Sequence, residues 1–213
     1  MGNYWVFPAS YLLGAVPFGL IVVRLWKGVD LREYGSGNIG TTNVARLLGP
    51  VAWATVFPLD VLKGVVPVLV CQRLFPAAPG GAVIGGLLAI LGHNYSPFLR
   101  FRGGRGVATS LGVVLGLDWR VALLAFLLWG LVVKVTRYVS VGSMVGGVAV
   151  PCLLAAFRDP WEYVAFGVVG AAFILWRHRP NLQRLRAGTE PQIGQRVEVP
   201  KMSEEEVKTE PPP

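Results

Sequence analysis

Seven apolar, charge-poor runs separated by short polar connections set the first limit on what this chain can fold into. They are Tyr4 to Trp26, Val51 to Leu74, Gly81 to Leu99, Val107 to Leu117, Val121 to Val135, Val141 to Phe157 and Trp161 to Trp176. A bilayer core takes about 20 apolar residues per helix, and most of the runs approach that length. With 53% hydrophobic and only 15% charged residues, and a mean hydropathy of +0.53, the composition excludes an ordinary soluble domain. The expected fold is an all-α integral membrane protein with about seven transmembrane helices. Val107 to Leu117 is the short one, and either begins deep in the membrane or forms a half-helix. Residues 1–200 read as a single transmembrane domain, and 201–213, with three consecutive glutamates and three terminal prolines, as a disordered tail.

The first run has tryptophan near each end, as interfacial anchoring favours, and Pro8 and Pro17 predict a kink. It lacks a basic n-region and a small-residue cleavage site, so a retained helix is expected rather than a removed signal peptide. Cys71 and Cys152 lie in apolar runs with no metal-type partner nearby, and read as buried small hydrophobes.

Alternating the seven runs across a membrane divides the cations unequally. One side collects Lys27, Arg32, Arg46, Arg100, Arg102, Arg105, Lys134, Arg137, Arg177, Arg179, Arg184 and Arg186, and the other Arg73, Arg120 and Arg158. Positive charge marks the cytoplasmic side, so the N-terminus is expected outside and the C-terminus in the cytoplasm. The net charge of +8 then belongs to cytoplasmic loops and anionic substrates or lipids, and nucleic acid is not expected as a partner. Every glycine-rich or polar motif falls on that same side, which is most economically one site.

The first such island is Gly35 to Asn43, closed by Arg46. Gly35 to Gly40 match Gly-x-Gly-x-x-Gly, but a dinucleotide fingerprint needs a strand before it and an acidic residue about 20 positions on. Here an apolar run precedes it and position 60 lies inside the next one, so a Rossmann domain is not expected. The physics of the fingerprint survives: glycines such as Gly37 let main-chain N–H groups form a nest, and a helix starting near Thr42 adds its positive end, so an anion can bind. Ser36, Asn38, Thr41 and Asn43 supply side-chain donors, and Arg46 lies one turn after Thr42. The alternative is a tight glycine turn between helices.

Asp60 and Lys63 sit inside the second run at i, i+3, on one helix face where they can pair. They read as a neutral structural pair or as the wall of a polar cavity. The second island, Gly92 to Thr109, contains Arg102-Gly103-Gly104-Arg105-Gly106 at the start of the short helix. Guanidinium forks beside flexible backbone suit a phosphate; the lysine and Ser/Thr of a Walker A loop are missing. His93 borders this loop and reads equally as a structural or a substrate-binding residue. In the last island His178 and Asn181 stand at i, i+3 between arginines, an arrangement able to activate or position a hydroxyl. Pro180 predicts that the last span ends near Arg179.

Five ordered motifs then carry a resemblance. Gly35-Ser36-Gly37-Asn38-Ile39-Gly40-x-Thr42-Asn43 is followed by Leu59-Asp60-x-Leu62-Lys63-Gly64, and then by Gly92-His93 with Phe98-Leu99-x-Phe101-x-Gly103-Gly104-x-Gly106-Val107-Ala108-Thr109. Ser140-Val141-Gly142-Ser143 and Arg177-His178-Arg179-x-Asn181, leading to Ala187-Gly188-Thr189-Glu190-Pro191, complete the set. Together they resemble the bacterial acyl-phosphate-dependent glycerol-3-phosphate acyltransferases of the PlsY type, over Tyr4 to Gly194. Where that family usually has lysines, this chain has Arg102 and Arg105, and Pro180 stands where a small polar residue is common.

The resemblance implies seven transmembrane helices, an active site on the cytoplasmic side of the inner membrane, and transfer of an acyl group from acyl phosphate to the 1-hydroxyl of glycerol 3-phosphate. Lysophosphatidic acid and phosphate are the products. It implies His178 and Asn181 as catalytic residues. Substrate and phosphate binding fall to Ser36, Gly37, Asn38, Thr42, Asn43, Arg46, Lys63, His93, Arg102, Gly104, Arg105, Ser143 and Glu190. Either His178 or a substrate phosphate takes the hydroxyl proton, and the acyl chain lies in an apolar groove between helices. The implied partners are the two phosphorylated substrates, the lipid bilayer and other enzymes of phospholipid synthesis. No metal cluster or nucleotide loop is seen, so no cofactor is expected. The competing reading is a membrane transporter for an organic phosphate, but no internal repeat supports it.

Overall fold

A computed structural model describes residues 2–197, so the tail at 201–213 lies outside the described residues. The described residues form ten α-helices, joined by loops and three single 3-10 turns. In order these are α1 (Val6–Ala15), α2 (Phe18–Lys27), α3 (Thr41–Leu48), α4 (Pro50–Leu74), α5 (Pro79–Asn94), α6 (Val107–Leu117), α7 (Trp119–Thr136), α8 (Val139–Ala156), α9 (Trp161–Arg177) and α10 (Arg179–Arg186). Among the described residues five stretches are long and apolar enough to cross a membrane: Asn3–Lys27, Pro50–Leu74, Pro79–Leu99, Trp119–Thr136 and Val139–Ala156. Helix α6 rises only about 16 Å at 1.5 Å per residue, half of a ~30 Å bilayer core.

Exposed leucine, isoleucine and valine side chains stud the outer faces, among them Leu12, Leu69, Leu127, Leu131 and Val169. That distribution fits a lipid solvent and not water. Cys71 is buried, but Cys152 is exposed on α8, which corrects the expectation that both are core residues.

The predicted kink in the first span is a complete break. Val16 is extended (ψ 119°) and Pro17 precedes α2, because proline has no N–H to continue the ladder and pushes its predecessor out of the helical region. In a bilayer the carbonyls freed by such a break need partners. Ser96 Oγ donates to the Ala15 carbonyl at 2.7 Å, and Lys63 Nζ to the Val16 carbonyl at 2.9 Å.

Two seams bring backbones into close approach. A Cβ at Gly14 or Gly92 would overlap the opposite backbone of the α1/α5 pair, and one at Gly64 or Gly112 that of α4/α6. Small residues are what allow helices without a hydrophobic driving force to pack this closely. The α4/α6 seam fixes the short helix, and with it the loop Tyr95 to Gly106 that α6 continues.

Candidate active site

Three connections and the first turns of α8 converge on one cavity of about 160 Å³. Its mouth is polar, lined by Ser36, Asn38, Thr41, Thr42, Asn43, Arg46, Arg105, Ser140, Ser143, His178, Asn181 and Glu190, and it continues between α4, α6, α7, α8 and α9 along apolar walls.

The first wall is the loop before α3. Its organiser is Asn43, 2% exposed, whose Oδ1 accepts from Ser36 N at 3.1 Å and whose Nδ2 donates to the carbonyls of Tyr34 at 2.9 Å and Leu31 at 3.3 Å. Gly35 has φ 61°, and a Cβ there would run into Asn43 Oδ1, so both backbone strain and space require glycine. Helix α3 starts with Gly40 as an uncapped N-cap, leaving the first-turn N–H groups of Thr41 and Thr42 without intrahelical partners on the cavity wall. Arg46 follows one turn later. Its Nη2 donates to the Pro191 carbonyl at 3.1 Å, its Nε is buried without a partner, and burial and then Arg184 hold it below the ordinary guanidinium value, against Glu190.

The second wall is the glycine loop. Gly103 N donates to Asn94 O at 3.0 Å and Gly104 N to His93 O at 3.1 Å, so the loop is stitched to the end of α5. From the other side Arg177 Nη2 donates to the carbonyls of Gly104 at 2.5 Å and Gly103 at 3.4 Å. A Cβ on Gly104 would overlap the His93 imidazole. Beyond this clamp Arg105 projects to the cavity. Burial, helped by Arg184, Arg46 and Arg177 and opposed by Glu190, lowers its pKa to about 10; it remains charged at neutral pH.

The third wall joins α9 to α10. His178, 2% exposed, closes α9, with its Nδ1 2.8 Å from the Ile174 carbonyl. A carbonyl only accepts, so Nδ1 carries the proton and Nε2 keeps the lone pair. Burial is the main cause that lowers the His178 pKa to about 4, with Arg105 and Arg177 assisting and the Ile174 carbonyl and Glu190 opposing. Asn181 Nδ2 donates to Glu190 Oε1 at 2.6 Å, and Arg184 Nε donates to Glu190 Oε2 at 2.8 Å. Burial raises the Glu190 carboxyl, but Asn181, the Ser140 hydroxyl beside it and Arg184 outweigh that and hold it below the ordinary carboxylate value. Asn181 Oδ1 is left buried and without a partner.

Residues 4–188 match the family described as glycerol-3-phosphate acyltransferase. The chain belongs to the glycerol-3-phosphate acyltransferase family. It is 52% identical over 198 residues to the glycerol-3-phosphate acyltransferase of Thermus thermophilus, covering 92% of this chain and 97% of that one. To the glycerol-3-phosphate acyltransferase of Trichormus variabilis it is 42% identical over 204 residues, covering 88% and 90%. Among solved structures it is similar to PlsY, an integral membrane glycerol 3-phosphate acyltransferase. The glycerol 3-phosphate form matches with a TM-score of 0.85 and 40% identity, over 89% of this chain and 94% of that one. The lysophosphatidic acid form matches with a TM-score of 0.83 and 39% identity, over 90% and 95%. The chain is a multi-pass membrane protein of this acyltransferase family.

Within this acyltransferase the cavity brings together Ser36, Asn38, Thr42, Asn43, Arg46, His93, Arg105, Ser143, His178, Asn181 and Glu190 from the expected set. Four expected contributors lie off its wall. Gly37 (φ 66°) turns the first loop outward, with its N–H donated to Tyr34 O. Arg102 is exposed beyond the Arg177 clamp. Gly104 gives its N–H to His93, leaving none for a phosphate. Lys63 is 2% exposed, bound to Asp60 at 2.7 Å and to the Val16 carbonyl. The spacing of the Asp60–Lys63 pair is as expected, but only Asp60 reaches the cavity, with His93 Nδ1 4.0 Å from its Oδ1.

Sequence reasoning passed over the clamp made by Arg177, which reads as a routine interfacial anchor, and the brace made by Arg184. Ser140 stands inside the Ser-Val-Gly-Ser motif and was discoverable there. The apolar walls, including Trp53, Phe57 and Trp129, carry no signal distinguishing them from lipid-facing residues.

Proposed function

We propose that this protein transfers a fatty acyl group from acyl phosphate to the 1-hydroxyl of glycerol 3-phosphate, giving lysophosphatidic acid and inorganic phosphate. One observation carries the reading: a single cavity joins a cationic, donor-rich mouth to a deep apolar limb, as a reaction between a small polar phosphate ester and a fatty acyl phosphate requires. Arg46, Arg105 and the first turn of α3 are the anion holders. The donor already carries a good leaving group, so no covalent enzyme intermediate is needed, and positioning with charge stabilisation supplies the catalysis.

In the step itself the glycerol hydroxyl oxygen bonds to the acyl carbon, and the carbon–oxygen bond to phosphate breaks with its electron pair leaving on phosphate. The hydroxyl proton goes to a phosphate oxygen. Burial keeps His178 neutral, and with Nδ1 committed to the Ile174 carbonyl its Nε2 is left to accept a hydrogen bond. His178 then acts through Nε2 as a neutral hydrogen-bonding group. The unpartnered Asn181 Oδ1 accepts from a glycerol hydroxyl, held in that orientation by Glu190. The same reading places seven helical segments across the inner membrane, with the N-terminus outside and the mouth of the cavity at the cytoplasmic face.

The deciding experiment gives purified protein glycerol 3-phosphate with either acyl phosphate or acyl-CoA. Phosphate release and lysophosphatidic acid are expected with acyl phosphate alone. No phosphate release with acyl phosphate overturns the donor assignment.

A further inference from the structure

The apolar limb of the cavity has a definite depth. On α9 its wall residues run from His178 at the mouth through Ile174, Ala171, Gly170 and Gly167 to Phe166, which at ~1.5 Å per helical residue is about 18 Å. A bilayer core of ~30 Å holds two lipid tails end to end, so about 15 Å corresponds to one tail. The limb is as deep as one membrane-lipid tail is long. At its open end stands Asn181, whose Oδ1 is buried and has no hydrogen-bond partner among the described residues.

The glycines of the limb are not equivalent. A Cβ at Gly167 would meet Pro151 Cα at 3.0 Å, one at Gly147 would meet Ile174 Cδ1 at 2.9 Å, and one at Gly146 would meet the Ala125 carbonyl oxygen at 3.3 Å. These three are small because helices pack against them. A Cβ at Gly170 meets nothing within 4 Å, although Gly170 lines the cavity and is half-buried. Packing does not explain that glycine, and open space in front of it does. It lies about 12 Å below His178, with a further ~6 Å of limb between it and Phe166.

We propose that Gly170 sets the length of acyl chain the enzyme accepts, its missing side chain keeping the last third of the limb open. The proposal rests on the acyl-transfer reading above. A side chain at 170 closes the limb to the terminal methylenes of a long chain and leaves a short chain untouched. The chain arrives from a bilayer as apolar as the wall, so discrimination comes from crowding in a limb too short for its methylenes, and a misfit of even one methylene in an apolar pocket discriminates by roughly 10- to 200-fold. Crowding out two or three methylenes lowers long-chain kcat/KM by at least about tenfold.

The test measures lysophosphatidic acid formation by full-length protein with acyl phosphates from about 8 to about 18 carbons, half a tail to a full one. Wild type is compared with Gly170→Ala, Gly170→Val, Gly170→Leu and a control, Gly130→Leu. Gly130 also has open space in front of it but lies on α7 at a separate cleft with Lys134 and Arg137. The expected result is a stepwise fall in the long-to-short kcat/KM ratio from Ala to Leu, with short-chain turnover kept and the control unchanged. Because Gly170→Ala adds a single methyl group, the trend remains readable even where the leucine variant folds poorly. A ratio unchanged in every Gly170 variant, or an equal loss at all lengths in Gly170→Ala and Gly170→Val, overturns the proposal. Wild type inactive on every acyl phosphate would bring down the donor assignment, and the length proposal with it.

Discussion

Arg177 and His178 are neighbours in sequence and serve different walls of the cavity. His178 faces the cavity itself, while Arg177 reaches back to hold the carbonyls of Gly103 and Gly104 and so sets where Arg105 stands. Hydrogen bonds from a charged donor contribute ~1.5–3 kcal/mol, so Arg177→Ala is expected to raise the glycerol 3-phosphate KM by roughly 10- to 100-fold. Were the effect general loosening of the fold, it would add to that of Arg105→Ala; a positioning role predicts that the double variant is little worse than Arg105→Ala alone. Full additivity in that cycle would show that Arg177 does not position Arg105. His178 gives a second test, in pH. Its folded pKa is about 4, below the ordinary ~6.5, so between those values the unfolded chain holds more protons and stability rises with pH. Acidification from pH 7 to pH 5 is expected to lower Tm in detergent, and His178→Gln, which does not titrate, to reduce that slope. An identical slope in both proteins would show that His178 is not held neutral by its burial.

At the scale of elements, the broken first span explains why, of the two readings open to the Asp60–Lys63 pair, Lys63 takes the place of a structural partner. The i, i+3 spacing with Asp60 made the pair legible, and the helix dictated it. The third partner, the Val16 carbonyl, was not legible, because it depends on α1 ending where Pro17 begins and on α4 packing beside that break. The same holds for Gly103 and Gly104. Glycines beside arginines suggest a phosphate nest, whereas their N–H groups go to α5 and their missing side chains make room for His93. Local chemistry was readable from the motifs; which neighbour consumed each donor was a tertiary fact. Lys63→Met is therefore expected to act on stability, leaving Asp60 buried without its counter-charge at a cost of about 3–5 kcal/mol. A large drop in Tm is the expected reading, with part of it recovered by the added change Asp60→Asn. A normal Tm with a raised glycerol 3-phosphate KM would return Lys63 to the substrate.

For the whole molecule, the apolar runs made an all-helical membrane protein legible from hydropathy alone, since length and charge depletion are local properties. Orientation is an argument about sums. Every wall of the cavity mouth lies on the side that gathers Arg46, Arg105, Arg177 and Arg184, whereas the turns bearing Arg120 and Arg158 lie at the other ends of α7, α8 and α9. If that cationic side is cytoplasmic, a soluble phosphate ester made in the cytoplasm meets the mouth directly, and the acyl chain enters from the bilayer. The exposed native thiol, Cys152, must first be removed as Cys152→Ser for labelling to report on introduced sites. In that background a membrane-impermeant maleimide applied to intact cells is expected to label Arg158→Cys and to spare Arg186→Cys until the membrane is opened. The reverse pattern would place the mouth outside, and the charge asymmetry would then have to reflect substrate binding instead of topology. Equal labelling of both would mean that the helices between them do not separate two compartments, contradicting α9 as a span despite its 17 residues.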